Sequence, residues 1–169
     1  MVGLLNSKLL WFIFKSLTPL ASGGYFRMKA QYVEQLPLPF WSEKDRLKLA
    51  ATSELCHLEA QKRYQLQQAI IRRIPDLAAP DIEPKLSKKL KAWWDFPDFS
   101  AFRKEVKKCL KADIPLSERS EWEDWIARDK AEIVRLTAEI KSNEQRINNI
   151  VYDLFDLTED EITLLEANV

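Results

Sequence analysis

Residues 126–157 read IARDKAEIVRLTAEIKSNEQRINNIVYDLFDL, and an apolar side chain returns at every seventh position of this stretch. The first series of the heptad is apolar throughout: Ile126, Ile133, Ile140, Ile147 and Leu154. The second series, three residues later in each heptad, is apolar at three of five positions: Asp129, Leu136, Asn143, Ile150 and Leu157. Such a repeat predicts one long coiled-coil helix, and Asn143 at a core position would set the register of its pairing.

A second long helix is predicted over residues 43–74, because Ser42 can cap its start and Pro75 must end it. Its apolar stripe is predicted to comprise six residues at helical spacing: Leu47, Ala51, Leu55, Leu58, Leu66 and Ile70. We expect this helix to pair antiparallel with the heptad helix. The sequence therefore predicts a mainly α fold with a long antiparallel helical arm.

Size and composition agree with a helical protein of about one domain. The chain has 169 residues, 46% of them apolar, and only three glycines, which disfavours a turn-rich β-sandwich. We divide it into four segments. These are a helix and a strand at 1–40, the first long helix at 41–75, a proline-rich linker with a basic stretch and a short helix at 76–116, and the heptad helix with a short terminal helix at 117–169.

The segment around residues 24–31 is predicted to be a small β element, because apolar and polar side chains alternate along it. One face of this strand would pack on the core. The other would present Tyr25, Arg27 and Lys29 to a polar partner such as a nucleic acid. The alternative is an exposed basic strand without a ligand.

Charge is distributed unevenly, although the formal net charge is zero. Residues 85–111 carry nine basic and three acidic side chains, whereas residues 112–169 carry six and fifteen. Contact with a polyanion is therefore expected in the first two thirds of the chain. The candidates there are four lysines that precede Trp93, Trp94 and Phe96: Lys85, Lys88, Lys89 and Lys91. Lysines can hold phosphates while bases stack on aromatic rings, and the alternative is a solvated helix face above core aromatics.

Residues typical of catalytic or metal sites are missing or badly spaced. Three glycines cannot form a convincing phosphate loop, and the single histidine, His57, lies within a predicted helix. Cys56 and His57 are adjacent, so on a helix they point about 100° apart and chelate poorly. We expect no catalytic residues, no metal, no cofactor, and idle thiols at Cys56 and Cys109 in a reducing cytoplasm. The apolar run at residues 9–14 is too short for a membrane helix, so no membrane partner is expected.

Five stretches carry a resemblance to a known family: residues 4–9 (LLNSKL), 24–29 (GYFRMK), 32–39, Glu121-Trp122 and 147–162 (INNIVYDLFDLTEDEI). In this order, and over nearly the whole chain, they resemble the TaqI-like C-terminal specificity region of N6-adenine DNA methyltransferases and fused type II restriction-modification enzymes. The last stretch is similar to the ending IN-x-IVY-x-LY-x-LTEEEI. Phe155 stands where that ending has Tyr, and Asp156 stands at its last variable position, where Gly is usual; the difference concerns the local turn.

The resemblance implies a DNA-recognition accessory module that helps a methyltransferase or endonuclease core to engage double-stranded DNA. Residues 1–40 would be a remnant of the target-recognition domain. The family's Asn-Pro-Pro-Tyr and cofactor-binding motifs do not occur here, so we expect the terminal piece of a larger protein, without catalysis of its own. The alternative is a helical interaction module, in which residues 43–74 and 118–157 bind a partner helix or form a homodimer without touching DNA.

Overall fold

A computed structural model describes residues 2–80 and 83–168. Within these ranges every regular element is helical, which confirms the predicted mainly α class. The α-helices in chain order are α1 (Val2–Leu5), α2 (Lys8–Leu17), α3 (Ala30–Val33), α4 (Glu43–Arg73), α5 (Lys88–Lys91), α6 (Phe99–Leu110), α7 (Arg119–Leu154) and α8 (Glu159–Glu166). Short 3₁₀ turns cover Ile74–Leu77, Trp93–Asp95 and Leu116–Glu118.

The predicted β element near residues 24–31 is wrong, since the described part of the chain contains no strand and α3 begins at Ala30. The segment finds no second strand to pair with, and its backbone bonds are local, as from the Lys29 N–H to the Arg27 carbonyl at 3.0 Å. Of the apolar residues in the alternation, Phe26 packs on its surroundings as expected: its ring meets that of Trp11 edge to face, with centroids 5.7 Å apart. Met28, the next apolar residue of the series, is 68% exposed.

The chain divides into two compact units. We call Met1–His57 together with Ile140–Val169 the terminal unit, and Leu58–Glu139 the central unit. The first half of α4 and the last part of α7 therefore belong to the terminal unit, and the remainder of both helices to the central unit.

The heptad positions of α7 are buried, as predicted. Eight of them are at most 7% exposed: Ile126, Asp129, Ile133, Leu136, Ile140, Asn143, Ile147 and Ile150. In the central unit the Lys62 ammonium contacts the Glu132 carboxylate at 2.6 Å, and the Arg73 guanidinium lies 4.4 Å from the centre of the Trp125 ring. Later residues of α4 thus meet earlier residues of α7, which makes the pairing in this unit antiparallel.

The buried face of α4 is only partly the predicted stripe. Four of the six predicted residues are exposed: Leu47, Ala51, Leu55 and Leu58. In the terminal unit α4 instead buries Leu49, which is 2% exposed and packs in one cluster with Ile147 and Val151 of α7. In the central unit Ile70 is buried as predicted.

Contacts made by α1 and by α8 stabilise the terminal unit. Gly3 approaches α4 so closely that a Cβ atom there would lie 2.0 Å from the Ser53 hydroxyl oxygen. The Glu166 carboxylate of α8 accepts hydrogen bonds from the Lys8 ammonium and from the Tyr152 hydroxyl, the latter at 2.8 Å. The Lys8 and Tyr152 bonds hold the pKa of Glu166 below its usual range, while burial and this carboxylate raise the pKa of Tyr152.

The central unit surrounds a core of aromatic and aliphatic side chains from α4 to α7: Ile70, Ile74, Leu90, Trp93, Phe102, Val106, Leu110, Ile114, Trp122, Ile126 and Ile133. Trp93 is completely buried, and its indole N–H donates to the Gln67 carbonyl at 3.0 Å. The Asp113 carboxylate joins α6 to α7, because it accepts from Arg103 at 2.8 and 3.2 Å and from Arg119 at 3.1 Å. The Arg103 bonds and the charges of both arginines hold the pKa of Asp113 below its usual range.

Candidate nucleic-acid interface

The first predicted group, Tyr25, Arg27 and Lys29, lies in the terminal unit on irregular backbone between α2 and α3. All three side chains are exposed. The Arg27 guanidinium donates to the Tyr25 hydroxyl at 3.2 Å and also lies 5.6 Å from the centre of the Tyr25 ring. Gly23 and Gly24, both at positive φ, turn the chain just before this pair. The structure therefore brings Tyr25 and Arg27 together without the strand that was expected to hold them.

The second predicted group lies in the central unit on and before α5. Ser87 caps this single turn, since its hydroxyl oxygen accepts from the Leu90 N–H at 3.2 Å. Leu90 is completely buried and anchors the turn, so Lys88, Lys89 and Lys91 point to solvent. Lys85, which precedes the turn, pairs with Glu83 at 3.1 Å. Both partners of this pair are largely exposed, so it contributes little to stability.

Helix α6 and its C-cap residue add four exposed lysines that the predicted site residues do not include: Lys104, Lys107, Lys108 and, at the C-cap, Lys111. Their spacing of three and four residues places them on one side of a helix, a signal that the sequence already contained. The opposite side of α6 buries Phe102, Val106 and Leu110. We call the eight exposed lysines of residues 85–111 the basic α5–α6 surface.

Glu105 connects the two helices of this surface. Its carboxylate accepts from the Ser87 hydroxyl at 2.8 Å and from the Cys109 thiol at 3.5 Å. The Ser87 bond, with the Cys109 bond and the charges of Lys108 and Lys89, holds the pKa of Glu105 below its usual range. Lysines of α5 and of α6 therefore both lie close to one carboxylate, although they are about 19 positions apart in the sequence.

A cavity of about 420 Å³ opens beside α5 and is lined by Lys88, Lys89, Ala92, Asp95, Phe96 and Pro97. Of the three aromatic residues that follow the lysine run, only Phe96 is among its walls. Trp93 belongs to the core, as the alternative interpretation held, and Trp94 lines a separate cavity with Arg63 and Gln67. The structure thus joins two of the predicted lysines to one aromatic ring.

Other kinds of site find little support in residues 2–80 and 83–168. No three histidine, cysteine or acidic side chains there come together in a way that could hold a metal ion. None of the described helices combines the length and the apolar character needed to cross a membrane. His57 is an exposed residue of α4, and Cys56 and Cys109 are half-buried thiols.

Comparison with known proteins gives one match. No curated protein and no solved structure matches the chain. A family model does match residues 42–151, which include α4 to α6, nearly all of α7 and the whole basic α5–α6 surface. The matched residues make up well over half of the chain, and the chain therefore belongs to the family described as a domain of unknown function, DUF8810.

Proposed function

We propose that this chain is a cytoplasmic DNA-recognition module that binds double-stranded DNA through the basic α5–α6 surface and performs no catalysis itself. One observation carries the proposal. Residues 85–111 hold nine basic side chains against three acidic ones, and eight of the nine are exposed lysines. The ninth, Arg103, is bonded to Asp113. A surface with this surplus of mobile positive charge attracts the phosphate backbone irrespective of base sequence.

Because the net charge of the whole chain is zero, the attraction of DNA is expected only near residues 85–111. The acidic side chains of α7 and α8 would repel a duplex, so binding depends on residues 85–111 and weakens steeply with salt. Tyr25, Arg27 and Lys29 are proposed as a further contact, because the guanidinium of Arg27 remains exposed while it rests on the tyrosine. Arginine in such a position can donate to a phosphate or to a guanine edge.

The proposed biological context is a restriction-modification system, in which the module works with a methyltransferase or endonuclease core. This part rests on the resemblance of residues 4–9, 24–29, 32–39, 121–122 and 147–162 to TaqI-like specificity regions. In this context the module would recognise the DNA, and the methyltransferase or endonuclease core would catalyse the reaction.

A salt titration tests the proposal. Fluorescence anisotropy with a labelled duplex should give an affinity that falls linearly on logarithmic axes between about 50 mM and about 200 mM salt, with a slope of about 0.9 for each phosphate contact. Replacing Lys104, Lys107 and Lys108 by alanine should reduce that slope by up to about 2.7. The matched control replaces three exposed lysines elsewhere, Lys44, Lys48 and Lys141, and should leave the slope unchanged. Equal slopes for the two triple variants would exclude the basic α5–α6 surface as the contact.

A second candidate function, helix-mediated association, is favoured by the exposed leucines of α4. Leu47 and Leu55 are 60% and 44% exposed, and burying such apolar side chains against a partner would be favourable. This function predicts that the chain sediments as a dimer. Leu47→Glu and Leu55→Glu should each convert that dimer to monomers. Dimers combined with no DNA binding at about 50 mM salt would replace the first proposal by the second.

A further inference from the structure

The cavity beside α5 combines three kinds of group that a nucleotide needs. Lys88 and Lys89 supply positive charge, Phe96 and Pro97 supply apolar surface, and Asp95 supplies an acceptor. From this combination we propose that the cavity accepts one unpaired nucleobase, with the neighbouring phosphates held by Lys88 and Lys89. The inference rests on the proposed DNA binding and adds to it a preference for single-stranded or locally opened DNA.

The dimensions of the cavity suit a single base. A volume of about 420 Å³ lies toward the lower end of the range of small-molecule sites, about 300 to 1,000 Å³. All six lining residues fall within residues 88–97: Lys88 and Lys89 on α5, Asp95 at the end of the 3₁₀ turn, and Ala92, Phe96 and Pro97 directly beside these two elements. A ligand there therefore contacts one short, continuous piece of the chain.

The lining decides which part of a nucleotide enters. Asp95 is exposed, and its carboxylate would repel a phosphate that approached it, whereas Lys88 and Lys89 on the same cavity wall would attract one. The same carboxylate can only accept hydrogen bonds, which suits the exocyclic amino groups of cytosine, adenine and guanine. Thymine lacks such a group and is expected to bind less well. Phe96 offers a ring on which any base can stack.

The walls are held in place by the core, so the cavity exists before a ligand binds. The ring of Phe96 meets that of buried Phe102 edge to face, with centroids 5.9 Å apart. The Phe96 N–H donates to the Trp93 carbonyl at 3.3 Å, and its own carbonyl accepts from the Lys130 ammonium. Phe96 therefore loses little side-chain entropy when a base stacks on it, which favours binding.

A continuous duplex cannot use this site, because its bases are paired and stacked away from the surface. Extracting one costs unstacking and unpairing energy, which a single strand, a bulge or a mismatch largely avoids. Duplex DNA is then held by the lysines alone, whereas single-stranded DNA gains the stacking contact as well.

The experiment compares the full-length chain on four labelled probes of equal length: oligo-dC, oligo-dT, an oligo-dC with abasic positions, and a duplex. We expect oligo-dC to bind about tenfold more tightly than the abasic strand, the difference being one stacked base. Phe96→Leu should lose about tenfold on oligo-dC and leave duplex affinity unchanged. Phe99→Leu is the matched control, because Phe99 also packs on Phe102, at 6.3 Å, but does not line the cavity. Melting temperatures of both variants monitor folding.

Each outcome decides between the two proposals. Duplex binding with unchanged affinity of Phe96→Leu for oligo-dC would overturn the base site and leave the proposed DNA binding intact. Failure to bind any of the four probes at low salt would overturn both. Equal affinity for oligo-dC and oligo-dT would remove the role of Asp95, and Asp95→Asn should in the expected case reduce the preference for oligo-dC.

Discussion

The close approach of α1 to α4 in the terminal unit yields a sharp prediction for Gly3→Ala. The new Cβ would lie 2.0 Å from the Ser53 hydroxyl oxygen, 3.2 Å from its Cβ and 3.3 Å from a methyl group of Leu49. The hydroxyl can rotate away only by giving up its 2.7 Å hydrogen bond to the Leu49 carbonyl, a loss of about 0.5–1.5 kcal/mol. The two Cβ atoms then still require a small shift of α1 against α4.

Overpacking of this kind typically costs about 1–3 kcal/mol, whereas the gain in helix propensity from Gly to Ala is at most about 1 kcal/mol. We expect a net loss of about 1–2 kcal/mol in the free energy of unfolding, measured by urea denaturation monitored by circular dichroism. The gain is smaller in practice, because α1 has only four residues.

A double-mutant cycle with Ser53→Ala isolates the cause. That substitution removes the clashing oxygen, so Gly3→Ala in its background should cost about 0.5–1.5 kcal/mol less than in the native chain. A stability of Gly3→Ala equal to or above that of the native chain would refute the close approach of α1 and α4. Equal costs in the two backgrounds would refute Ser53 as its source.

Four further substitutions test other parts of the fold by the same unfolding measurement. Asp156 has a φ of +51°, so Asp156→Gly should stabilise the turn before α8 by about 0.5–1 kcal/mol, and a loss would contradict that backbone. Leu49→Ala should cost about 2–5 kcal/mol and Leu47→Ala less than about 0.5 kcal/mol; similar costs would contradict the assigned buried face. Glu166→Gln should cost about 1 kcal/mol at neutral pH, allowing for partial exposure. Because folding lowers the pKa of Glu166, the native chain should lose this advantage as pH falls below about 4.3, whereas an unchanged difference at acid pH would contradict the Lys8 contact.

The structural predictions that proved correct are those that rest on short-range periodicity. The heptad of α7 predicted its buried positions down to the polar ones, Asp129 and Asn143, because a helix repeats its own geometry whatever surrounds it. The lysines of α6 carried an equally regular signal, but the prediction of site residues did not use it. The left-handed backbone of Asp156, a conformation that glycine favours, was not predicted either.

The strand failed for the opposite reason. Alternation describes one chain segment, but a strand exists only with a neighbour to bond to, and no sequence signal showed that residues 24–31 lacked one. The cavity could be predicted in part. The sequence shows lysines next to aromatic residues, but it does not show which ring is accessible. Trp93 is buried and bonded to Gln67, so Phe96 is the ring that lies beside Lys88 and Lys89.

The face of α4 could not be chosen from its own sequence, because apolar residues occur on two sides of the helix. Packing selects the side with Leu49 and Ser53, since only small Gly3 lets α1 approach there and Ile147 and Val151 cover the leucine. Leu47 and Leu55 are then left outward as a consequence of that choice. Replacing them and measuring the oligomeric state then tests whether this outward side also mediates association. Because leucine and lysine act through different forces, substitution at Leu47 should leave the salt slope of DNA binding unchanged, and substitution at Lys104, Lys107 and Lys108 should leave sedimentation unchanged. A coupled response of both properties to either set would contradict the assignment of DNA binding to the lysines alone.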